Sequence, residues 1–238
     1  MVHVPGCANM DRQDVLDFER EIRGLYRQIR AEVEERLVTF RGVWERGDEE
    51  ELLCELLFCL LTPAARAHSA WHALQSLKQK GLILREIPES PELDSRRQRI
   101  ADELRIVRFK NNKARNVLEA EKLFMVDGKA SIRASLLRFH SSIEMREWLA
   151  DTVRGMAYKE ASHFLRNIGQ DGDIAILDRH ILRALQRFGI IESIPESLTR
   201  GRYLQIEERM QRLARRLDMP LHHLDLVLWY HETGELFK

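Results

Sequence analysis

The chain has 238 residues and balances 38 Lys/Arg against 38 Asp/Glu, with 44% hydrophobic and 32% charged residues. That length can bury the core of one large domain or of two small lobes. No apolar run approaches the ~18 residues of a membrane span, and the opening MVHVPGCANM lacks the flank and core of a secretory signal, so a cytoplasmic, nucleoid-associated location is expected.

The zero net charge hides an asymmetry. Residues 1–62 carry 8 Lys/Arg against 14 Asp/Glu, and residues 96–166 carry 16 against 9. A basic middle suits a polyanionic partner, although solvated helix faces produce the same count. Three cysteines, Cys7, Cys54 and Cys59, with no CxxC pair, offer neither a disulfide framework nor a cysteine metal site. Cys54 and Cys59 lie in LLCELLFCLL and read as core.

Helical periodicity dominates in chain order. Val15, Phe18, Ile22, Leu25, Ile29, Val33, Leu37 and Phe40 recur every three or four residues, as in an amphipathic helix. Asp48 and Glu51 form a capping-box pattern before an all-apolar, buried helix that ends near Thr62-Pro63. A further helix runs from about Ala64 to Gly81, and EIPESPELDSR at 86–96 is a loop. Helices are expected over 97–107, 112–126 and 131–139, and another opens at Ser141, with Glu144 completing its cap, and runs to Val153. Asp178 precedes RHILRALQRFG, with Gly189 as its stop, and a last pair covers 200–217 and 221–232. No stretch alternates with period two over strand length. The expected fold is all-α, in two helical lobes: 1–85 with 200–238, and 86–199.

The segment WLADTVRGMAYKEASHFL concentrates the chemistry. Leu149, Val153, Met156, Ala161, Phe164 and Leu165 fit two short helices packed across a turn at Gly155, a helix-hairpin-helix over about 142–168. Backbone N–H groups at the start of its second helix can hold a phosphate, although many such corners bind nothing. Lys159 falls in that helix's first turn, where the macrodipole disfavours an ammonium by about 0.3–1 kcal/mol. A neutral lysine amine is a nucleophile that forms Schiff bases; a solvated surface lysine is the plainer alternative. Nineteen residues on, Asp178 is placed to cap the next helix, and a carboxylate there can also stabilise positive charge on a sugar.

A hairpin, then Lys, then Asp at this spacing resembles the helix-hairpin-helix DNA glycosylase superfamily. YKEASHFLRNIG, ILDRHILR, FCLLTP, RFKNNKAR and LDLVLWYHETGELFK are similar to the archaeal-type 8-oxoguanine DNA glycosylase/AP lyases, from about residue 50 to the last. The endonuclease III-like branch carries a four-cysteine cluster loop after its aspartate, which these cysteines cannot form. The resemblance implies two lobes with the active site in the cleft between them. It also implies flipping of a damaged base from duplex DNA, attack by Lys159 on the anomeric carbon, an imine, and strand nicking by β-elimination. Asp178 would stabilise the oxocarbenium-like transition state. Gly155 and Ala157 would bind a DNA phosphate, with room for a structural cation there and no other cofactor or metal.

The lesion differs from guanine by a C8 carbonyl and a proton on N7, so its pocket needs an acceptor and flat faces. By the same resemblance Phe109 and Trp229 would flank the base, and Lys238 would reach it with its ammonium or the chain's carboxylate. Core packing is the alternative for Trp229. Two departures stand out: Ala157 where the family hairpin has a second glycine, and Ala64-Ala65-Arg66 where a polar residue often fills the space left by the flipped base. The expected protein is a monomer acting on double-stranded DNA. Two alternatives remain at this point: a glycosylase for another damaged base, and a non-catalytic DNA-binding module.

Overall fold

The computed structural model describes residues 12–84 and 88–237, so Cys7 and Lys238 lie outside the described residues. Helices make up nearly all its regular structure, and the all-α expectation holds. They are α1 (Arg12–Arg46), α2 (Glu49–Leu61), α3 (Ala67–Gln79), α4 (Glu92–Glu103), α5 (Lys110–Phe124), α6 (Ile132–Leu136), α7 (Ser142–Thr152), α8 (Tyr158–Asn167), α9 (Arg179–Arg187), α10 (Arg200–Leu217) and α11 (Leu221–Thr233).

The chain divides into two compact units. One comprises the described part of Met1–Glu34 with Leu177–Leu236, the other Glu35–Ile176 with the described part of Phe237–Lys238. These limits differ from those expected at the 86–96 loop. Burial explains the difference: α2 is buried from Leu52 to Leu61 and packs against α3, α5, α6 and α8. An apolar helix of that kind cannot leave the unit whose core it forms. In the other unit Phe18 packs on Phe188 at 4.5 Å between ring centroids, and the Arg187 guanidinium covers Phe18 at 3.9 Å.

Both expected capping boxes are half-made. Asp48 Oδ1 accepts from the N–H groups of Glu50 and Glu51, but Glu51 pairs with Arg46 instead of closing the box. Ser141 accepts from Glu144 N–H at 3.2 Å, while Glu144 turns to His140 N–H. Helix α4 starts at Glu92, inside the expected loop, since Glu92 and Asp94 complement the positive end of the helix. The helix expected to reach residue 126 stops at Phe124. There Met125–Val126 and Lys129–Ala130 form a two-stranded hairpin, with Asp127 (φ +50°) and Gly128 (φ +73°) in its turn. Asp-Gly is the short-range signal for such a turn.

An ion pair braces α4 against α5. Arg96 Nη2 donates to Glu121 Oε2 at 2.7 Å, with side chains 7% and 0% exposed. Glu121 also accepts from Leu84 N–H at 2.5 Å, and Arg96 Nε donates to Leu82 O. Glu121→Ala strands a buried guanidinium and a backbone N–H, for an expected loss of about 3 kcal/mol, read as a fall in Tm on the order of 10 °C.

Candidate active site

The hairpin is built by local sequence. Helix α7 closes with Val153 N–H donating to Leu149 O, and Met156 N–H returns to Val153 O at 3.1 Å. Gly155 takes φ +83°, and a Cβ there would stand 2.0 Å from Asn116 Nδ2 of α5. Glycine is therefore required twice over, by backbone and by contact. Gly155→Ala is expected to cost about 1–3 kcal/mol, checked by thermal unfolding. Leu149, Val153, Met156, Ala161, Phe164 and Leu165 are all buried, and α7 packs on α8.

Ala157 has φ −103° and ψ −175°, an extended conformation, so alanine is unstrained where the family has glycine. Its N–H donates to Glu160 Oε2 at 3.3 Å. Having no side-chain oxygen, Ala157 caps none of the first amides of α8. Tyr158 is pinned to α7: its hydroxyl donates to Glu147, and the Arg146 guanidinium lies 5.0 Å from its ring centroid.

The Lys159 side chain is 22% exposed and lies 3.6 Å from Glu160 Oε1. Its Nζ donates to Thr62 Oγ1 at 3.2 Å, and that hydroxyl donates to Cys59 O at 2.9 Å. A second amine converges on the same helix end. Lys113 Nζ donates to Leu61 O at 2.7 Å and to Pro63 O at 2.8 Å. Burial, and then the positive charge of Lys159, pull the Lys113 pKa down to about 8, against an opposing pull from Glu160. The last carbonyls of α2 carry the negative end of its dipole, which favours ammonium groups there. Beneath them Cys59 is fully buried, and burial pushes its thiol well above the ordinary range, so it stays protonated.

Phe109 opens α5 in the left-handed region, φ +61°, with 62% of its surface exposed. A bulky side chain rarely adopts that backbone, and exposed strain of this sort clusters at functional surfaces. Its carbonyl accepts from Lys113 N–H at 3.0 Å. The Phe237 ring lies 4.1 Å from His68 and 6.4 Å from Phe58. Phe58 also meets His163, one turn beyond Lys159 on α8. The described chain thus ends close to the Lys159 helix; Lys238 itself lies outside the described residues.

In the other unit, Asp178 caps α9, its Oδ1 accepting from Ile181 N–H at 2.9 Å. Trp229 on α11 is half-buried and meets His180, two residues past Asp178, edge-on at 5.0 Å. Among the described residues its buried indole N–H meets no acceptor. Sequence reasoning missed Thr62, Lys113 and Asn116. Only Lys113 left a signal: a lysine at an apolar position, in line with the buried Ala114, Val117 and Leu118.

Comparison with known proteins bears directly on this arrangement. Residues 33–219 match the family model described as 8-oxoguanine DNA glycosylase. An 8-oxoguanine DNA glycosylase/AP lyase of Fusobacterium nucleatum is 39% identical over 222 residues, covering 93% of this chain and 98% of the relative. The crystal structure of the 8-oxoguanine DNA glycosylase of Thermotoga maritima superposes with a TM-score of 0.79 at 30% identity, covering 94% of this chain and all of that one. That of the Methanocaldococcus jannaschii 8-oxoguanine glycosylase/lyase, in complex with a 15mer DNA containing 8-oxoguanine, superposes with a TM-score of 0.76 at 29% identity over 92% of this chain and 99% of that one. With the family matched over most of its length and its relatives covered almost end to end, this chain belongs to the 8-oxoguanine DNA glycosylase family.

Proposed function

We propose that the protein removes 8-oxoguanine from duplex DNA and nicks the strand, with Lys159 as the nucleophile. The observation that carries this is the Lys159 amine, drawn out of solvent and held at Thr62 beside a second amine. The flipped nucleotide presents its anomeric carbon to the Lys159 amine. A C–N bond forms to Lys159 as the glycosidic bond breaks, and the base leaves with a proton. The sugar ring opens to an imine, the ring oxygen taking a proton. Loss of a C2′ proton then expels the 3′ phosphate by β-elimination.

Asp178 has one oxygen committed to its cap, and the other stabilises the cationic sugar and shuttles protons. The uncapped amides of α8 and the turn at Gly155 grip a phosphate near the lesion. Phe109 and Trp229 stack on the purine, with Lys238 contributing at the pocket. Side chains and water suffice for every step.

Borohydride trapping tests the reading. Duplexes carrying either 8-oxoguanine or guanine at one position are incubated with the protein and reductant. A covalent adduct is expected with the lesion alone. Salt-sensitive binding to both duplexes with no adduct on either would instead make the protein a DNA-binding module.

A further inference from the structure

We infer that Lys113 is a positioning residue for Lys159: its ammonium ties down the last turn of α2, from which Thr62 receives the Lys159 amine. The inference rests on the chemistry proposed for Lys159 above. Three observations support it.

The first is placement. Lys113 bonds the carbonyls of Leu61 and Pro63, the residues on either side of Thr62. Thr62 in turn uses its hydroxyl proton on Cys59 O, which leaves an oxygen lone pair for Lys159 Nζ. Residues 61–63 and both amines therefore form one cluster, drawn from α2, α5 and α8.

The second is need. Pro63 cannot continue the helix, and Ala64 follows in the left-handed region at φ +52°. Such a turn persists only where its surroundings hold it. Lys113 provides two of those ties across a sequence separation of about fifty residues. Slack in the turn passes directly to the acceptor of the nucleophile.

The third is the thermodynamic sign. Lys113 is 3% exposed, and its folded pKa of about 8 lies below the ordinary lysine value of 10.5. A depressed lysine binds its proton less tightly folded than unfolded, so the charge costs stability below pH 8. That cost is relieved as the pH rises from about 8 towards 10.5. An apolar residue there would escape that cost but leave the carbonyls of Leu61 and Pro63 without this donor. The charged groups facing it are Lys159 and Glu160 of α8, so it shares an electrostatic environment with the reacting amine.

The test compares wild type, Lys113→Met and Lys113→Arg in single-turnover trapping on 8-oxoguanine duplex from pH 6.5 to 9.5, together with Tm and lesion affinity. Lys113→Met keeps the stem and loses the charge; it is expected to react about 10- to 100-fold more slowly, with affinity near wild type and a Tm loss too small to account for the change in rate. Lys113→Arg, charged across the range, is expected to recover most of the rate and to lose an inflection near pH 8 that wild type shows. Wild-type rates for Lys113→Met, or a rate loss matched by an equal loss of affinity or stability, would overturn the inference while leaving the role of Lys159 standing. Absence of any adduct with wild type would overturn both.

Discussion

Lys159→Gln is expected to form no borohydride-trapped adduct and to slow release of 8-oxoguanine by on the order of 10⁴-fold or more, the scale on which loss of a covalent nucleophile is felt. Glutamine keeps most of the side-chain length and a donor for Thr62 Oγ1, so the cluster at the end of α2 is expected to stay closed. Binding to lesion duplex is expected to be retained, since the hairpin amides and the exposed ring of Phe109, to which the proposed reading assigns that binding, are untouched. Single-turnover excision, measured beside anisotropy on the same duplex, separates chemistry from affinity. Residual excision within ten-fold of wild type would remove Lys159 from the nucleophile's role.

Asp178→Asn is expected to slow excision by about 10²- to 10³-fold while leaving Tm almost unchanged. Asparagine caps a helix as well as aspartate does, so the bond now made by Ile181 N–H to Asp178 Oδ1 survives while the negative charge does not. Asp178→Ala then serves as the comparison. It loses the same rate and in addition about 1 kcal/mol of stability with the cap. If Asn restored the rate and Ala alone were slow, the residue would act through the helix end only. If both were slow and only Ala were unstable, cap and charge would be shown to be separate duties of one side chain.

A lysine in a helix's first turn and an aspartate at a helix's cap each sit where backbone geometry assigns a role, and that geometry follows from neighbours three or four residues away. The Asp127-Gly128 turn is the counter-example: its signal was present in the sequence, but the helical pattern on its N-terminal side masked it. Gly155 was legible as a turn residue, yet its tightest constraint comes from Asn116, on another helix.

By itself the sequence determined the helices, the hairpin turn, the buried character of α2 and the placement of Lys159 and Asp178 at helix starts. All of these rest on short-range periodicity, caps and side-chain type. Only the tertiary structure decided that Lys159 meets Thr62 while Lys113 bonds the carbonyls on either side of it, that Phe109 stands exposed on a left-handed backbone, and that α2 belongs with the helices that follow it rather than with the C-terminal segment. The hydrogen bond from Lys159 to Thr62 spans 97 positions, and contacts of that separation leave no spacing pattern along a chain. They are settled by which apolar faces bury one another, and the polar groups at the margins of that burial take the partners that packing brings within reach.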